Sequence, residues 1–335
     1  MQERVGGSEK EPSQEQGERG RNDVASRPST SEENGRNDAA RRPSTRDENG
    51  GNGAANWLST GDERGRYAGS DGAGRPGVLV IAHGSREPGW VAQVEQAVAE
   101  AKAKLPPELP VEAAYLELVE GRLIQDGIRA LEARGVTDIY ALPLFVSSGS
   151  THVDEIGWAL GAYAQPRRET DLEPVAMQAR LTYGEPIGSD PEIARALADK
   201  LAPRSREPAA EAVLLVGHGS DEPWFYEAWR RELEGLAAEL VRIGGYAGAD
   251  AALLRPDETA ARIAQLRMRH PGARLLAVPV FLSEGYFTSN AVPGRLAGQD
   301  IDYAERALLP HPAVSDWIVG RLQAWLAGRA ARLEV

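Results

Sequence analysis

Residues 78–86 read VLVIAHGSR, and this stretch decides the fold. Its short apolar run is typical of a strand that is buried on both faces, as strands of parallel sheets are. His83 follows where the strand ends, and Gly84 lets the backbone turn. Because ligands of open α/β sheets bind beyond the carboxyl ends of the strands, this His-Gly-Ser marks a candidate site.

The same pattern returns at residues 213–221 as VLLVGHGSD. A second pair of segments, ALPLFVSSG at 141–149 and AVPVFLSEG at 277–285, keeps Pro, Phe, Ser and Gly in register. The repeated pattern indicates duplication. We therefore predict an α/β fold of two similar domains, each a small parallel sheet flanked by helices, facing each other across a cleft.

Apolar strand-like segments alternate with helical patterns from residue 77 onward, as in βαβ units. We predict domains at residues 77–205 and 211–330, joined by a linker rich in proline and charged residues. The predicted strands cover 78–82, 111–116, 138–146, 173–179, 213–216, 249–254, 274–282 and about 303–308. The predicted helices cover 89–105, 123–134, about 154–163, 191–201, 222–243, 257–269 and 313–329.

Residues 1–76 belong to another compositional class, rich in Gly, Ser, Asn, Arg and Glu. A degenerate 15-residue repeat begins at Gly20, Gly35 and Gly50. Such a polar segment buries too little apolar surface to offset the entropy of ordering, so we predict a disordered tail. A dispensable extension is favoured over a partner-binding arm.

The overall composition excludes several classes of protein. Asp and Glu number 50 against 38 Lys and Arg, which argues against a nucleic-acid binder that must neutralise phosphates. Cysteine is absent, which excludes disulfides, thiolate metal sites and a cysteine nucleophile. With no apolar leader and no run of 18 apolar residues, we expect a soluble cytoplasmic protein without a membrane partner.

Two imidazoles and a carboxylate follow neighbouring predicted strands in the first domain. His83 follows the first strand, Glu117 the second, and His152 the loop after the third. Imidazole nitrogen suits first-row divalent metals and also accepts protons near neutral pH. For His83 alone, a turn-capping hydrogen bond explains the position about as well as a ligand does.

The pieces AHGSR, AYLE, PLFVSSGSTH and the second VGHGS resemble the class II chelatases over roughly residues 77–327. These are the sirohydrochlorin ferrochelatases and the anaerobic-pathway sirohydrochlorin cobaltochelatases, here in the duplicated two-domain form. The resemblance implies insertion of Fe²⁺ or Co²⁺, or Ni²⁺ by a third route, into sirohydrochlorin for siroheme or cobalamin biosynthesis. It also implies that His83, Glu117 and His152 are the catalytic residues and the metal ligands.

The substrates that the resemblance implies are a tetrapyrrole and a divalent metal ion, with no nucleotide. Neither a P-loop nor a Gly-x-Gly-x-x-Gly follows either first strand, which agrees with that implication. Sirohydrochlorin carries many carboxylates, and Arg86, close to His83, is the first candidate to bind one of them. The chain is expected to act as a monomer or a homodimer.

The second copy departs from this pattern. Aligning AALLR with AAYLE puts Arg255 in place of Glu117, and Thr288 falls where His152 would be. His218 is kept without these partners. We therefore expect the first domain to hold the site and the second to close the cleft.

Two other classes of function stay open on the sequence. A non-catalytic carrier could use the two histidines to store metal or tetrapyrrole. A hydrolase such as a phosphatase could use a strand-end histidine, although Ala82 stands where histidine phosphatases have arginine.

Overall fold

The computed structural model describes residues 74–333, in which strands and helices alternate along the chain. We refer to residues 74–203 as the first half and to residues 208–333 as the second half. The elements of the first half are β1 (Pro76–Ala82), α1 (Pro88–Ala103), β2 (Val111–Tyr115), α2 (Ile124–Ala133), β3 (Asp138–Pro143), α3 (Thr151–Ala159), β4 (Arg180–Tyr183) and α4 (Pro191–Leu201).

The second half repeats this order with small additions. A single 3₁₀ turn (Pro208–Ala210) precedes its first strand, and a π-helical turn (Phe287–Ala291) precedes its third helix. Its other elements are β5 (Glu211–Gly219), α5 (Pro223–Gly244), β6 (Gly248–Arg255), α6 (Thr259–Arg269), β7 (Arg274–Pro279), α7 (Val292–Leu296), β8 (Asp302–Tyr303) and α8 (Pro312–Leu333).

Each half contains one four-stranded sheet, and the two sheets have equivalent topology. The strand orders are β2-β1-β3-β4 and β6-β5-β7-β8, and all neighbouring strands are parallel. The first strand of each half is therefore central, which explains why both read as continuous apolar runs. The predicted fold class, two parallel α/β sheets flanked by helices, is confirmed.

Alternate side chains of the central strands enter different cores. In β1, Leu79 and Ile81 pack with α2 and α3 on the outer face of the first sheet. Val78 and Val80 pack inward, into a core that also contains Val213 of the second sheet. That shared core lies among α1, α4, α5 and α8, while α6 and α7 cover the outer face of the second sheet.

The last helix of each half packs against the first helix of the other half. Thus α4 lies against α5, and α8 lies against α1. Lys104, at the end of α1, donates through Nζ to Ser315 at 3.1 Å and to Asp316 at 2.6 Å on α8. The halves are consequently joined by packing as well as by the chain.

The strand predicted at 173–179 is wrong, since β4 starts at Arg180. Apolar residues of that segment do pack on the outer core, which accounts for the alternating pattern. Its backbone, however, pairs with side chains of α2: Gln125 bonds Ala176, and Glu132 accepts from the backbone nitrogens of residues 178 and 179. These side chains bond backbone groups that a neighbouring strand would otherwise pair with.

The predicted tail, residues 1–76, falls mostly outside the part of the chain that the structure describes. Residues 1–73 are not described, and Pro76 is already the first residue of β1.

Within residues 74–333, no helix is long and apolar enough to cross a membrane.

Candidate functional site

Backbone pairing holds Glu117 beside His83 at the carboxyl edge of the first sheet. The β1–β2 ladder continues past the strand ends, because the Leu116 nitrogen donates to the Ala82 carbonyl and the Glu117 nitrogen to the His83 carbonyl at 3.1 Å. Gly84 then turns away with a φ of 102°. A Cβ at Gly84 would overlap the Glu117 carbonyl oxygen, so the close approach requires glycine.

The structure brings the three predicted residues together. The Nε2 atom of His83 lies 3.6 Å from Oε1 of Glu117, whose side chain is 52% exposed. The His83 and His152 rings meet edge to face, with centroids 4.7 Å apart. His152 lies in the first turn of α3, which begins at Thr151, three residues before the predicted start near residue 154.

The hydrogen bonds of His83 fix which ring nitrogen is free. Its Nδ1 lies 3.0 Å from the carbonyl oxygen of Gly84. A carbonyl only accepts hydrogen bonds, so Nδ1 carries a proton, and in the neutral ring the lone pair is on Nε2, beside Glu117. A neutral imidazole in this tautomer can bind a metal ion or accept a proton at Nε2.

Glu155 orients His152, and sequence reasoning missed this residue. The Nδ1 of His152 donates to Oε1 of Glu155 at 2.5 Å, and the Thr170 hydroxyl donates to Oε2 at 2.7 Å. Burial would raise the pKa of Glu155, but the hydrogen bonds from His152 and Thr170 outweigh it and hold that pKa below its usual value. The signal in the sequence was the i,i+3 spacing of His152 and Glu155 on one helix.

This carboxylate-imidazole pair keeps a proton on Nδ1 of His152, so that in the neutral ring the lone pair is on Nε2. Carboxylates behind metal-binding imidazoles fix the ring tautomer and increase the basicity of the free nitrogen. The first half therefore places two imidazoles, each with its Nδ1 already hydrogen-bonded, and one exposed carboxylate at one sheet edge.

The second half repeats the histidine of this arrangement, but not the carboxylate or the second imidazole. The Nδ1 of His218 lies 2.8 Å from the Gly219 carbonyl oxygen, as His83 lies against Gly84. Burial lowers the pKa of His218, with a smaller opposing effect from this hydrogen bond. The β5–β6 register pairs Gly219 with Arg255, so Arg255 does occupy the place of Glu117.

Phe287, rather than the expected Thr288, occupies the place of His152. The rings of His218 and Phe287 meet edge to face at 4.8 Å, close to the geometry of His83 and His152. Thr288 is buried and its hydroxyl donates to the Gly285 carbonyl. The shift by one residue arises where a π-helical turn replaces the first turn of a regular helix.

A cleft of about 420 Å³ joins the two half-sites. His83 and His152 line one side of it, and His218, Phe287 and Arg255 line the other. This volume falls in the usual range for small-molecule and cofactor sites. Other aromatic side chains that contribute to the lining are Trp90, Phe145, Trp229 and Phe281.

Cationic side chains reach the cleft at positions other than the first candidate. Arg86 is exposed and is not among the residues that line the cleft. Arg168 and Arg255 do line it, and they face Glu222 at 3.9 Å and Asp221, respectively. Arg168 carried no signal in the sequence, because its segment has no regular pattern.

Within residues 74–333, no group of three or more His, Asp or Glu side chains is arranged so that it could hold a metal ion by itself. Among the predicted ligands, Nε2 of His83 lies 3.6 Å from Oε1 of Glu117, and the ring centroids of His83 and His152 lie 4.7 Å apart. The assignment of these three residues to a metal thus stays a prediction.

Comparison with known proteins identifies the relatives of this chain. The CbiX family model matches residues 77–203 and again residues 212–324. A sirohydrochlorin cobaltochelatase of Methanopyrus kandleri is 28% identical over 135 residues, which cover 37% of this chain and 93% of that protein. A sirohydrochlorin ferrochelatase of Bacillus subtilis is 28% identical over 161 residues, covering 48% of this chain and 56% of that protein.

Solved structures of similar fold cover most of the described residues. SirB from Bacillus subtilis with Fe³⁺ has a TM-score of 0.57 at 22% identity, covering 74% of this chain and 94% of that one. A structure described as CbiX, the terminal enzyme for biosynthesis of siroheme in denitrifying bacteria, has a TM-score of 0.50 at 22% identity, covering 74% and 98%. From the two family matches it follows that this chain belongs to the CbiX family of class II chelatases, in its duplicated form.

Proposed function

We propose that this protein inserts a divalent metal ion, Fe²⁺ or Co²⁺, into sirohydrochlorin. The reaction exchanges two pyrrole N–H protons for the ion, so the site must present a metal and accept protons. The observation that carries the proposal is the pairing of His83 and His152, with their rings 4.7 Å apart at the cleft. The names of the relatives, both sirohydrochlorin chelatases, support the choice of tetrapyrrole.

In the proposed mechanism His83, Glu117 and His152 act on the metal and the protons. The Nε2 atoms of the two imidazoles present the incoming ion to the ring. Glu117, 3.6 Å from Nε2 of His83, accepts protons or passes them to solvent, to which it is half exposed. A site of nitrogen and oxygen ligands suits an ion that must leave, since four thiolates would hold it.

The second half is proposed to bind the macrocycle. Phe287 and Phe281 stack with their rings 5.4 Å apart, offering an apolar surface to a flat ring. Arg255 and Arg168 at the cleft, and Arg86 outside it, are proposed to pair with the carboxylates of the tetrapyrrole. We also propose domains at 77–205 and 211–330, with the first carrying the reactive groups.

The test is metal insertion into sirohydrochlorin, followed by absorbance under anaerobic conditions. Wild-type protein should exceed the spontaneous rate, and His83→Ala and His152→Ala should each reduce kcat at least about 100-fold, the usual scale of a lost general base. His270→Gln serves as control, because His270 ends α6 and does not line the cleft. Comparing Fe²⁺ with Co²⁺, and then Ni²⁺, identifies the metal.

Wild-type protein that binds metal or tetrapyrrole without any rate above the spontaneous one would establish a carrier instead. Turnover of generic phosphoesters that depends on His83 would establish the hydrolase. Either result contradicts the chelatase proposal.

A further inference from the structure

The loop that precedes His152 is held by the second half of the molecule. This loop, residues 147–150, is the last part of the connection from β3 to α3, and it lies against α5. The Ser148 backbone nitrogen donates to Oε2 of Glu232 at 3.1 Å, and the Ser148 hydroxyl donates to Oε1 of the same carboxylate. Both oxygens of Glu232 are therefore used by a single residue of the loop.

Packing around these hydrogen bonds leaves the loop no room to shift. A Cβ at Gly149 would overlap the Phe225 carbonyl oxygen and stand 2.7 Å from the Trp229 backbone nitrogen, so the loop backbone lies directly on the α5 backbone. The Glu232 side chain is only 13% exposed, with Arg231 at 3.6 Å. Little solvent competes with its hydrogen bonds to Ser148.

We propose that Glu232 is a positioning residue for His152, acting from the opposite half of the protein. Ser148 precedes His152 by four residues, and His152 lies in the first turn of α3, so the anchored loop sets where that turn begins. Hydrogen bonds from a backbone N–H and a hydroxyl to a carboxylate are charge-assisted and stronger than neutral ones. Glu155 fixes the orientation of the His152 ring, whereas Glu232 fixes the location of its backbone.

The molecule contains a second, comparable contact between the halves. It serves as a control for whether Glu232 positions His152 or only holds the two halves together. In the loop after β7, the Ser283 hydroxyl donates to Oε1 of Gln93 on α1 at 2.7 Å. This contact also joins the two halves, but its loop leads to Phe287 and carries no imidazole. If Glu232 only joined the halves, loss of Glu232 and loss of Gln93 would have similar effects.

The experiment compares Glu232→Ala and Glu232→Gln with Gln93→Ala in the full chain. Its kinetic readout rests on the proposed function, whereas its second readout, the ¹⁵N chemical shifts of the His152 ring, does not. Glu232→Ala should reduce kcat at least about tenfold, since misplacement by 1 Å costs up to about 100-fold. KM for the tetrapyrrole should change less than about twofold, and the His152 ring shifts should move, because the ring is displaced relative to the neighbouring ring of His83.

Glu232→Gln should fall between wild type and Glu232→Ala, because its one amide oxygen can accept one of the two hydrogen bonds. Gln93→Ala should lower Tm comparably and leave kcat and the His152 shifts unchanged, because the loop that Gln93 holds leads to Phe287, whose proposed contact with the macrocycle affects KM. Unchanged His152 shifts in both Glu232 variants, or equal effects of Gln93→Ala, would overturn the proposal. A wild-type protein without insertion activity would refute the proposed function, and the His152 shifts would still decide the role of Glu232.

Discussion

The carboxylate of Glu155 is bound on both oxygens, by His152 and by Thr170. Glu155→Gln keeps the size but removes the charge that fixes the protonated nitrogen of His152. We expect metal insertion to fall about 10- to 100-fold, as for other carboxylates behind functional imidazoles. Steady-state insertion rates check this, and Thr170→Val, which removes only one bond to Glu155, should have a smaller effect.

The same variant has a defined pH signature. The pKa of Glu155 is lowered in the folded protein, so its contribution to stability is fully present above the unfolded value of about 4.5 and is lost as pH falls through the lower folded value. Chemical unfolding of wild type and Glu155→Gln should therefore converge in free energy of unfolding in acid. A difference that persists unchanged to pH 3 contradicts this origin.

His218 gives a prediction of the same kind in a higher pH range. Burial lowers its pKa from the usual 6.5, so the unfolded chain takes up a proton there before the folded one does. Wild-type stability should decline as pH falls from about 7 towards the folded pKa of His218, and His218→Gln should lose part of that decline. Urea unfolding between pH 8 and 5, with an NMR titration of the ring, measures both.

At the level of single residues, sequence reasoning located His83, Glu117 and His152 because strand order places them at one edge. Glu155 and Glu232 escaped it for different reasons. Glu155 was readable from helical spacing, but Glu232 meets Ser148 only through the packing of the two halves. No local pattern encodes such a contact.

Among the elements, the end of each central strand explains why both halves keep a glycine after the histidine. Gly84 and Gly219 both have positive φ, and each lies against a backbone carbonyl of the neighbouring strand's end. Gly84→Ala and Gly219→Ala should each destabilise the protein by about 2 kcal/mol or more, the scale of backbone strain at such positions. Denaturant midpoints measure this cost.

The two glycine variants should differ in activity. Gly84→Ala displaces Glu117 from His83 and should reduce insertion strongly at temperatures where the protein stays folded. Gly219→Ala disturbs Arg255 in the second half and should reduce it less. Equal losses of activity at equal stability would show that the two strand ends contribute alike.

Strand and helix order could be read from the sequence because buried parallel strands are continuous apolar runs. The π-helical turn at Phe287–Ala291 could not, since one additional residue in a turn leaves the apolar pattern unchanged. In the structure Phe287, and not Thr288, faces His218. The alignment of the two halves was consequently wrong by one position there.

For the whole molecule, α8 connects the halves and should make residues 74–333 unfold as one unit. Trp325 of α8 stacks on Tyr140 of β3 at 5.1 Å, and its Nε1 donates to Thr182 of β4 at 3.3 Å. Trp325→Ala should cost about 3 kcal/mol or more, as buried aromatic truncations do. Met268→Ala, at a residue 75% exposed, is the control and should cost little.

The measurement is urea unfolding followed by fluorescence and by hydrogen exchange of amides in both sheets. A single transition that moves to lower urea in Trp325→Ala for amides of both halves is expected. Separate transitions, with only the second half affected, would contradict a shared core. The duplication was visible in the sequence, but the exchange of helices between halves was not, because helices α4 and α8 carry the same apolar pattern whichever sheet they cover.

That exchange of helices has a consequence for how the site is assembled. Each half presents an apolar helical face, which would need a second copy to cover it if the half were a separate chain. Here the two walls of the cleft belong to one polypeptide, so their mutual effective concentration is set by the short connection near residues 202–210. Dilution therefore cannot separate the side of the cleft that carries His83 and His152 from the side that the second half provides. Because one chain contains both halves, the residues of each half can change independently of those of the other.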